Sequence, residues 1–446
     1  MQKNNMTTPI FDFVKSYAES DVSRFHMPGH KGKAFLGCEH LDITEINGAD
    51  VLSAADGIIA ESEKNTASLF GSACTFYSTE GSSLCIKAML ALIKKNVSGD
   101  RTKILASRNV HKAFIYACAL LDIDVEWIFP KNSAELYSYA ITPEELENKL
   151  SNTDVLPHAF YLTSPDYLGN MADIKGLADV CHKHGIPLLV DNAHGAYLAF
   201  LEPSLHPLNL GADMCCDSAH KTLPVLTGGA YLHISTSCTI PYDEARNAMA
   251  LFASTSPSYL ILQSLDLCNA YLADSYKERL EKCVCRTEEL KNRLCELGFS
   301  PNKNTEPLKI VFSRSDCNKL AEFLSNTNIE VEFADENNLV LMITPENSQN
   351  DFQRLIDAFS SFEPTKTEEK ESSIKWQKPI AITSLREAIL SSSETVPVEQ
   401  ANGRICAAPA VSFPPAIPIV VSGEMITEDI VDILLYYGIK KIDVIK

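Results

Sequence analysis

The chain has 446 residues, 45% of them hydrophobic and 22% charged, a composition that fits a soluble globular protein long enough for two or three domains. Its formal net charge of −19 argues against a nucleic-acid surface, which needs a basic stripe, and no apolar run approaches the ~20 residues of a membrane span. Fourteen cysteines are scattered without paired C-x-x-C spacing and no signal-peptide pattern opens the chain, so no metal site is expected and the protein is read as reduced and cytoplasmic.

Residues 1–50 read as an arm that packs on the body or on a second subunit. It holds a helical fragment around Phe11-Asp12-Phe13-Val14, then Phe25-His26-Met27-Pro28-Gly29-His30-Lys31-Gly32 with a Pro-Gly turn. The two histidines have no nearby acid or cysteine to complete a ligand set. From about residue 51 strands and helices alternate. Residues 74–78 read as a strand, Gly81-Ser82-Ser83 as a tight loop and 84–95 as a helix. A small-residue turn from strand into helix aims backbone N–H groups and two hydroxyls at one point, which suits a phosphate, although the same tripeptide is also a plain N-cap. No G-x-x-x-x-G-K-[ST] is present, which sets a nucleotide P-loop aside.

Residues 103–107 form a further strand, and the helix over 111–121 opens with His111, which either stacks on an aromatic cofactor or simply caps and packs. Residues 124–130 return as a strand. Thr142-Pro143-Glu144-Glu145 starts a helix with a capping box and an early proline. A strand over 158–163 ends at Ser164-Pro165-Asp166, and a helix over 174–184 is closed by Gly185.

Two successive strand ends carry the chemistry. Ile186-Pro187-Leu188-Leu189-Val190 leads into Asp191 with His194 just beyond, and Ala212-Asp213-Met214-Cys215-Cys216 leads into Asp217-Ser218-Ala219-His220-Lys221. Ligands of open parallel sheets collect beyond the carboxyl ends of the strands. A lysine placed there loses solvation, its pKa falls, and its neutral amine can form a Schiff base. Pyridoxal phosphate needs such a lysine for its aldehyde and a carboxylate for its pyridine nitrogen, and an acid about 30 residues before a lysine on the next strand supplies both. Taken singly, each is more often a turn acid or a solvated loop lysine. With a further strand over 229–234, the repeated βα units define an α/β fold with a mostly parallel sheet covered on both faces.

Helical periodicity then runs unbroken over 259–297 to Gly298, read as one long helix between domains. Strands at 308–313, 331–333 and 339–343, with helices near 318–324 and 351–359, make a smaller α/β or α+β domain. Residues 363–373 are a charge-rich linker. A third unit follows, with a helix over 383–391, a proline cluster at 413–418, and a helix and terminal strand over 427–446. The division is an arm (1–50), a large cofactor-binding domain (51–258), a small domain (259–362), and a linker with a C-terminal domain (363–446).

On these residues the chain resembles the Orn/Lys/Arg decarboxylase family, most closely its shorter bacterial form. The matching pieces are His26-Met27-Pro28-Gly29-His30-Lys31-Gly32, Gly81-Ser82-Ser83, Ser107-Arg108-Asn109-Val110-His111-Lys112, Thr163-Ser164-Pro165, Asp191-Asn192-Ala193-His194-Gly195 and Ser218-Ala219-His220-Lys221-Thr222-Leu223-Pro224. They continue with Ser254-Thr255-Ser256-Pro257-Ser258-Tyr259 and, near the C-terminus, Ser393-Glu394-Thr395-Val396-Pro397 and Pro414-Pro415-Ala416-Ile417-Pro418. The resemblance implies a pyridoxal-phosphate enzyme with the aspartate aminotransferase fold and its seven-stranded sheet, decarboxylating arginine, lysine or ornithine to a polyamine-pathway amine. It implies that Lys221 holds the cofactor aldehyde, Asp191 pairs with the ring nitrogen, and His111 stacks on the ring. Gly81, Ser82, Ser83 and Ser218 hold the phosphate, His194 lies near the ring hydroxyl, and His220 or Lys221 reprotonates the substrate carbon. It also implies a homodimer, or a multiple of dimers, with Thr255 facing a neighbour's cofactor.

Four residues depart from the family pattern: Glu80 beside the phosphate loop, Asp166, Asn192 and Ala219. Two alternatives stand beside decarboxylation. One is another activity of the same fold, an aminotransferase or lyase, although no arginine sits in a clear carboxylate-clamp motif. The other is a non-catalytic homologue that binds the cofactor or a partner, motivated by Glu80 and the other departures.

Overall fold

The computed structural model describes residues 6–97, 101–129, 141–363, 378–412 and 418–446. Its centre is a seven-stranded sheet of β1 (Cys74–Ser78), β2 (Thr102–Ser107), β3 (Ile123–Ile128), β4 (Phe160–Thr163), β5 (Leu188–Asp191), β6 (Met214–Asp217) and β7 (Ala230–Ile234) in the order β1-β7-β6-β5-β4-β2-β3. Neighbours run parallel from β6 through β3, while β7 lies antiparallel to both β1 and β6. The expected mostly parallel α/β sheet is therefore present.

The strands are apolar on both sides because both faces are covered. Alternation sends Leu188 and Val190 to one face and Leu189 to the other. The Leu188 face packs under α5 (Pro143–Ser151) and α6 (Ile174–Lys183), the helix pair whose first member carries the expected capping box at Thr142 and Glu145. The Leu189 face packs under α3 (Ser82–Lys95), α4 (Lys112–Leu121) and α8 (Tyr242–Ala250). Helices α2 (Ile58–Phe70) and α8 were not expected from the sequence.

The arm begins with α1 (Pro9–Glu19), which buries Ile10 and Val14 and is pinned where Phe11 N–H donates to Asp266 Oδ2 at 2.9 Å. It packs on the body, as one of the two expectations had it. Past α1 it turns outward, with Phe25, Phe35 and Leu36 between 80% and 97% exposed. His30 has an acid after all, Asp42 at 3.2 Å, twelve positions further along the chain.

The expected single helix over 259–297 is two helices, α9 (Tyr259–Ala273) and α10 (Tyr276–Glu296). The break falls at Asp274-Ser275, where Ser275 takes a left-handed φ of 56°. Side chains of this kind compete for backbone hydrogen bonds and weaken a helix interior. Arg279 stabilises the break: its Nη2 donates to the freed carbonyls of Tyr271 (3.0 Å) and Asp274 (3.1 Å). Periodicity runs through the break because both helices bury the same kind of stripe.

Beyond α10, an antiparallel sheet in the order β8-β10-β9 comprises β8 (Lys309–Ser313), β9 (Phe333–Ala334) and β10 (Asn338–Met342), with α11 (Cys317–Asn326) and α12 (Gln349–Ser361). The strand expected at 331–333 thus begins at Phe333. The last unit has α13 (Leu385–Leu390), β11 (Ser393–Pro397), β12 (Ala410–Ser412), β13 (Pro418–Val421), α14 (Glu428–Tyr436) and β14 (Lys441–Ile445), with two antiparallel pairs, β11 with β14 and β12 with β13. Helix α13 is shorter than the expected 383–391 because Ser384 caps it through a capping box with Glu387. The end of the strand expected to reach Pro130, the linker from residue 364 and the proline cluster at 413–417 lie outside the described residues.

Candidate active site

Successive parallel strands deliver the two key residues. Asp191 is the last residue of β5. Strand β6 ends at Asp217, and the chain then makes one helical turn, α7 (Ala219–Thr222), that carries Lys221. Lys221 Nζ lies 3.0 Å from His194 Nε2. Burial pulls the Lys221 pKa down, the Asp191 charge pushes it back up, and the ammonium of Lys309 lowers it again. His194 is held well below its ordinary range by burial and by the charges of Lys309 and Lys221. His111 is the N-cap of α4, its Nδ1 accepting from Ala113 N–H at 3.2 Å. Burial lowers its pKa, with Asp191 raising and Lys221 lowering it. One electrostatic field therefore joins Lys221, His194, His111 and Asp191.

Asp191 is buried, yet its carboxylate is weakly occupied. Oδ1 takes Ala193 N–H at 3.2 Å and the Cys216 thiol at 3.6 Å, and Oδ2 takes the Tyr161 hydroxyl at 3.4 Å. These contacts leave it capacity for a cation. The neighbouring Asp217 differs. Asn192 Nδ2 donates to it at 2.7 Å, and His206 Nε2 and His233 Nε2 lie 3.0 and 3.3 Å from its Oδ2. Burial raises its pKa, but the two imidazoles hold it well below the carboxylate range. The ligand-type atoms of His206, Asp217 and His233 lie within 4.8 Å of one another, a grouping that the sequence reading, with no metal site in view, did not see. His233 Nδ1 is in turn 2.8 Å from Thr75 Oγ1.

A small-residue turn with free N–H groups lies at the start of α3. Gly81 adopts φ 71°, the left-handed region, and its N–H donates to Gly228 O at 2.7 Å. Gly228 must stay small: a Cβ there would lie 2.9 Å from Thr79 O, at a φ of 99°. Helix α3 begins at Ser82 with no side-chain cap, so its first N–H groups remain for an anion. Ser218 Oγ donates to Ser82 Oγ at 2.8 Å, joining the two hydroxyl segments expected to hold a phosphate, and Ser83 shares the same turn. An anion cradle, a buried under-occupied carboxylate and a lysine of lowered basicity are the donor set that pyridoxal phosphate requires, and they fit that group.

His220 points its Nδ1 at Gly229 O, 2.9 Å away, and since a carbonyl only accepts, this nitrogen carries the proton. Thr255 is exposed within this chain. Its segment is tied to the Gly81 turn by Glu80, whose carboxylate accepts Ser254 N–H at 2.6 Å. Of the other departures, Asn192 holds Asp217, Ala219 is buried, and Asp166 is held by Asn170 through two 2.8 Å hydrogen bonds. Burial raises the Asp166 pKa to about 6 against those bonds.

Three site residues escaped the sequence reading. Tyr167 sets its ring edge-on to His194 at 5.3 Å and donates its hydroxyl to Glu332 Oε1 at 2.8 Å. The Glu332 charge supports the Lys221 ammonium. Lys309 donates to the carbonyls of Asp166 (3.3 Å) and Tyr167 (3.2 Å) and pairs with Glu306 at 2.7 Å. Glu332 and Lys309 come from the small sheet's unit; the local signal was a buried lysine opening an otherwise apolar strand.

The sheet order, with its single reversed strand, and the cluster at its carboxyl edge define an α/β enzyme of pyridoxal-phosphate fold type I. Residues 8–313 match the Orn/Lys/Arg decarboxylase major domain and residues 376–440 the C-terminal domain of the same family. The chain belongs to the Orn/Lys/Arg decarboxylase family and is a decarboxylase. It is 30% identical to an arginine decarboxylase of Bacillus subtilis over 95% of this chain and 92% of that protein. It is 31% identical to a B. subtilis protein of uncharacterised role, YaaO, over 95% and 93%. The fold is shared with the lysine decarboxylase of Francisella novicida, with TM-score 0.82 at 18% identity over 99% of this chain and 82% of that one, and with the constitutive lysine decarboxylase of Escherichia coli at TM-score 0.80 and 19% identity.

Proposed function

We propose that the protein holds pyridoxal phosphate on Lys221 and removes the carboxylate of a basic amino acid, with arginine the first substrate to test. The observation that carries this reading is the meeting of an under-occupied Asp191 carboxylate with a lysine of lowered basicity at two adjacent strand ends. Full-length relatives that bear the name arginine decarboxylase support the choice of substrate. When bound, the cofactor supplies an electron sink for the charge left as CO2 departs.

In this reading Asp191 keeps the ring nitrogen protonated, the first turn of α3 with Ser82, Ser83 and Ser218 binds the phosphate, and His111 lies against the ring. His194 stays neutral beside Lys221, so the amine's proton is not held by an anion. Lys221, once freed by the substrate's own amine, holds the proton returned at Cα; His220, with Nδ1 committed to Gly229, is the other candidate. Glu332 offers a carboxylate to the substrate's cationic end. Glu80, which motivated the non-catalytic alternative, is turned to the Ser254 backbone.

The reading includes a homodimer, supported by the exposed Phe25, Phe35 and Leu36 of the arm and by the outward Thr255 segment. It includes a cytoplasmic setting, supported by fourteen free cysteines, and the four-part division of the chain, supported by the separate sheets. The test is to purify the protein, add pyridoxal phosphate, and measure CO2 and amine from arginine, lysine and ornithine side by side. One of the three is turned over by the protein and none by Lys221→Ala. A keto acid in place of CO2 and an amine sinks the proposal.

A further inference from the structure

The C-terminal unit has a contact that reaches toward the candidate site. Arg108 follows β2 directly, is fully buried, and stands three residues before His111. Its Nη1 and Nη2 donate to Glu424 Oε1 and Oε2 at 2.7 and 2.6 Å, its Nε donates to Pro418 O at 3.0 Å, and Nη2 also reaches Ile419 O at 3.5 Å. All four acceptors belong to the C-terminal unit, more than 300 positions away in sequence. Glu424 is equally committed, since its Oε2 also accepts Val421 N–H at 2.8 Å. The Trp127 ring of β3 lies 4.9 Å from the guanidinium carbon. Between Arg108 and His111 the chain makes a tight turn in which Val110 N–H donates to Arg108 O at 3.0 Å.

We infer that Glu424 is a positioning residue for the cofactor site: through Arg108 it fixes the turn that places the His111 ring. A bidentate carboxylate–guanidinium pair is directional as well as attractive, and buried it admits little freedom, because an unpaired guanidinium there has no water to turn to. Short of Arg108, the turn has two residues in which to absorb any displacement before His111. The C-terminal unit is on this view part of the site's framework, holding the ring's stacking partner from behind. The inference rests on the proposed role of His111 against the pyridoxal ring.

The structure supplies its own control. Arg386, also from the C-terminal unit, grips the opposite end of α4, donating to Ala119 O (3.0 Å) and Leu120 O (3.1 Å). Glu424→Gln and Arg386→Ala both loosen the docking, but only the first reaches the His111 turn. The experiment measures equilibrium binding of pyridoxal phosphate to the apoprotein of the full chain by its absorbance change, with thermal unfolding of each apoprotein alongside. Expected is a weakening of cofactor affinity by about tenfold or more in Glu424→Gln, a shifted absorbance maximum, and an affinity within about twofold of the parent in Arg386→Ala. Glu424→Asp, which keeps the charge, recovers part of the affinity and serves in place of the glutamine variant if that does not fold. Overturning it would be an unchanged affinity and spectrum in Glu424→Gln, or equal losses in Glu424→Gln and Arg386→Ala. A parent protein that takes up no pyridoxal phosphate would instead defeat the proposed function.

Discussion

Strands β5 and β6 lie side by side, run parallel and each end in a fully or nearly fully buried aspartate, yet the two acids have opposite fates. Asp217 receives a side-chain amide at 2.7 Å and faces two imidazoles at 3.0 and 3.3 Å. Asp191 has one backbone N–H at 3.2 Å, a thiol at 3.6 Å and a hydroxyl at 3.4 Å, close to or beyond the limits of useful bonding. A buried acid whose charge is already met by short donors and imidazoles is a structural strut. A buried acid that is under-occupied is a site waiting for a cation, since leaving it so costs free energy that a ligand recovers. In the proposed reading, the difference in partners, rather than burial or position, separates scaffold from chemistry.

The comparison can be broken most sharply at Asp191. With cofactor bound, Asp191→Asn lowers kcat by about a thousandfold while the protein stays folded; equal losses of activity and stability would make Asp191 a strut like its neighbour. Asp217→Ala should do the reverse, lowering stability by about 3–5 kcal/mol in denaturant unfolding because the His206 imidazole and the Asn192 amide lose their acceptor and His233 loses a facing charge.

Asp166 is an intermediate case, a buried acid with two good donors but a pKa raised to about 6. The native state there holds a proton that the unfolded chain has released, so its contribution to stability is full below the ordinary carboxyl pKa and is lost as pH rises toward 6. Asp166→Asn should flatten that decline, by about 2 kcal/mol between pH 4 and 6, and an equal loss of stability over that range in parent and variant would refute it. Glu332→Gln is expected to raise KM for the basic amino acid about tenfold with a smaller effect on kcat. The smallest effect is on Lys221 itself. Its lowered pKa means that the fold disfavours its charged form, a cost present at neutral pH that fades as pH rises toward the ordinary lysine range. Lys221→Met should therefore melt a few degrees higher near pH 7, the gain shrinking with alkaline pH.

Much of this was legible in the sequence because its signals are local. Strand periodicity with Asp191 and Lys221 at successive ends pointed to the sheet's carboxyl edge, where the structure brings both together, and the Gly81-Ser82-Ser83 turn into α3 was visible as a small-residue loop. What escaped was long-range. Lys309 and Glu332 reach the site from the second sheet, and Glu424 grips Arg108 from the far end of the chain; no spacing rule links such positions. The break at Ser275 was hidden because the helices on either side bury similar stripes, and only the Asp274-Ser275 pair hinted at it.

The central claim is that the amine of Lys221, rather than that of its neighbour Lys309, takes the cofactor. Borohydride reduction of the protein reconstituted with pyridoxal phosphate, followed by digestion and mass spectrometry, tests it directly. The account predicts one pyridoxyl group per chain, on the peptide that contains Lys221. A label on Lys309, or no stable label in a protein that has bound the cofactor, would contradict it.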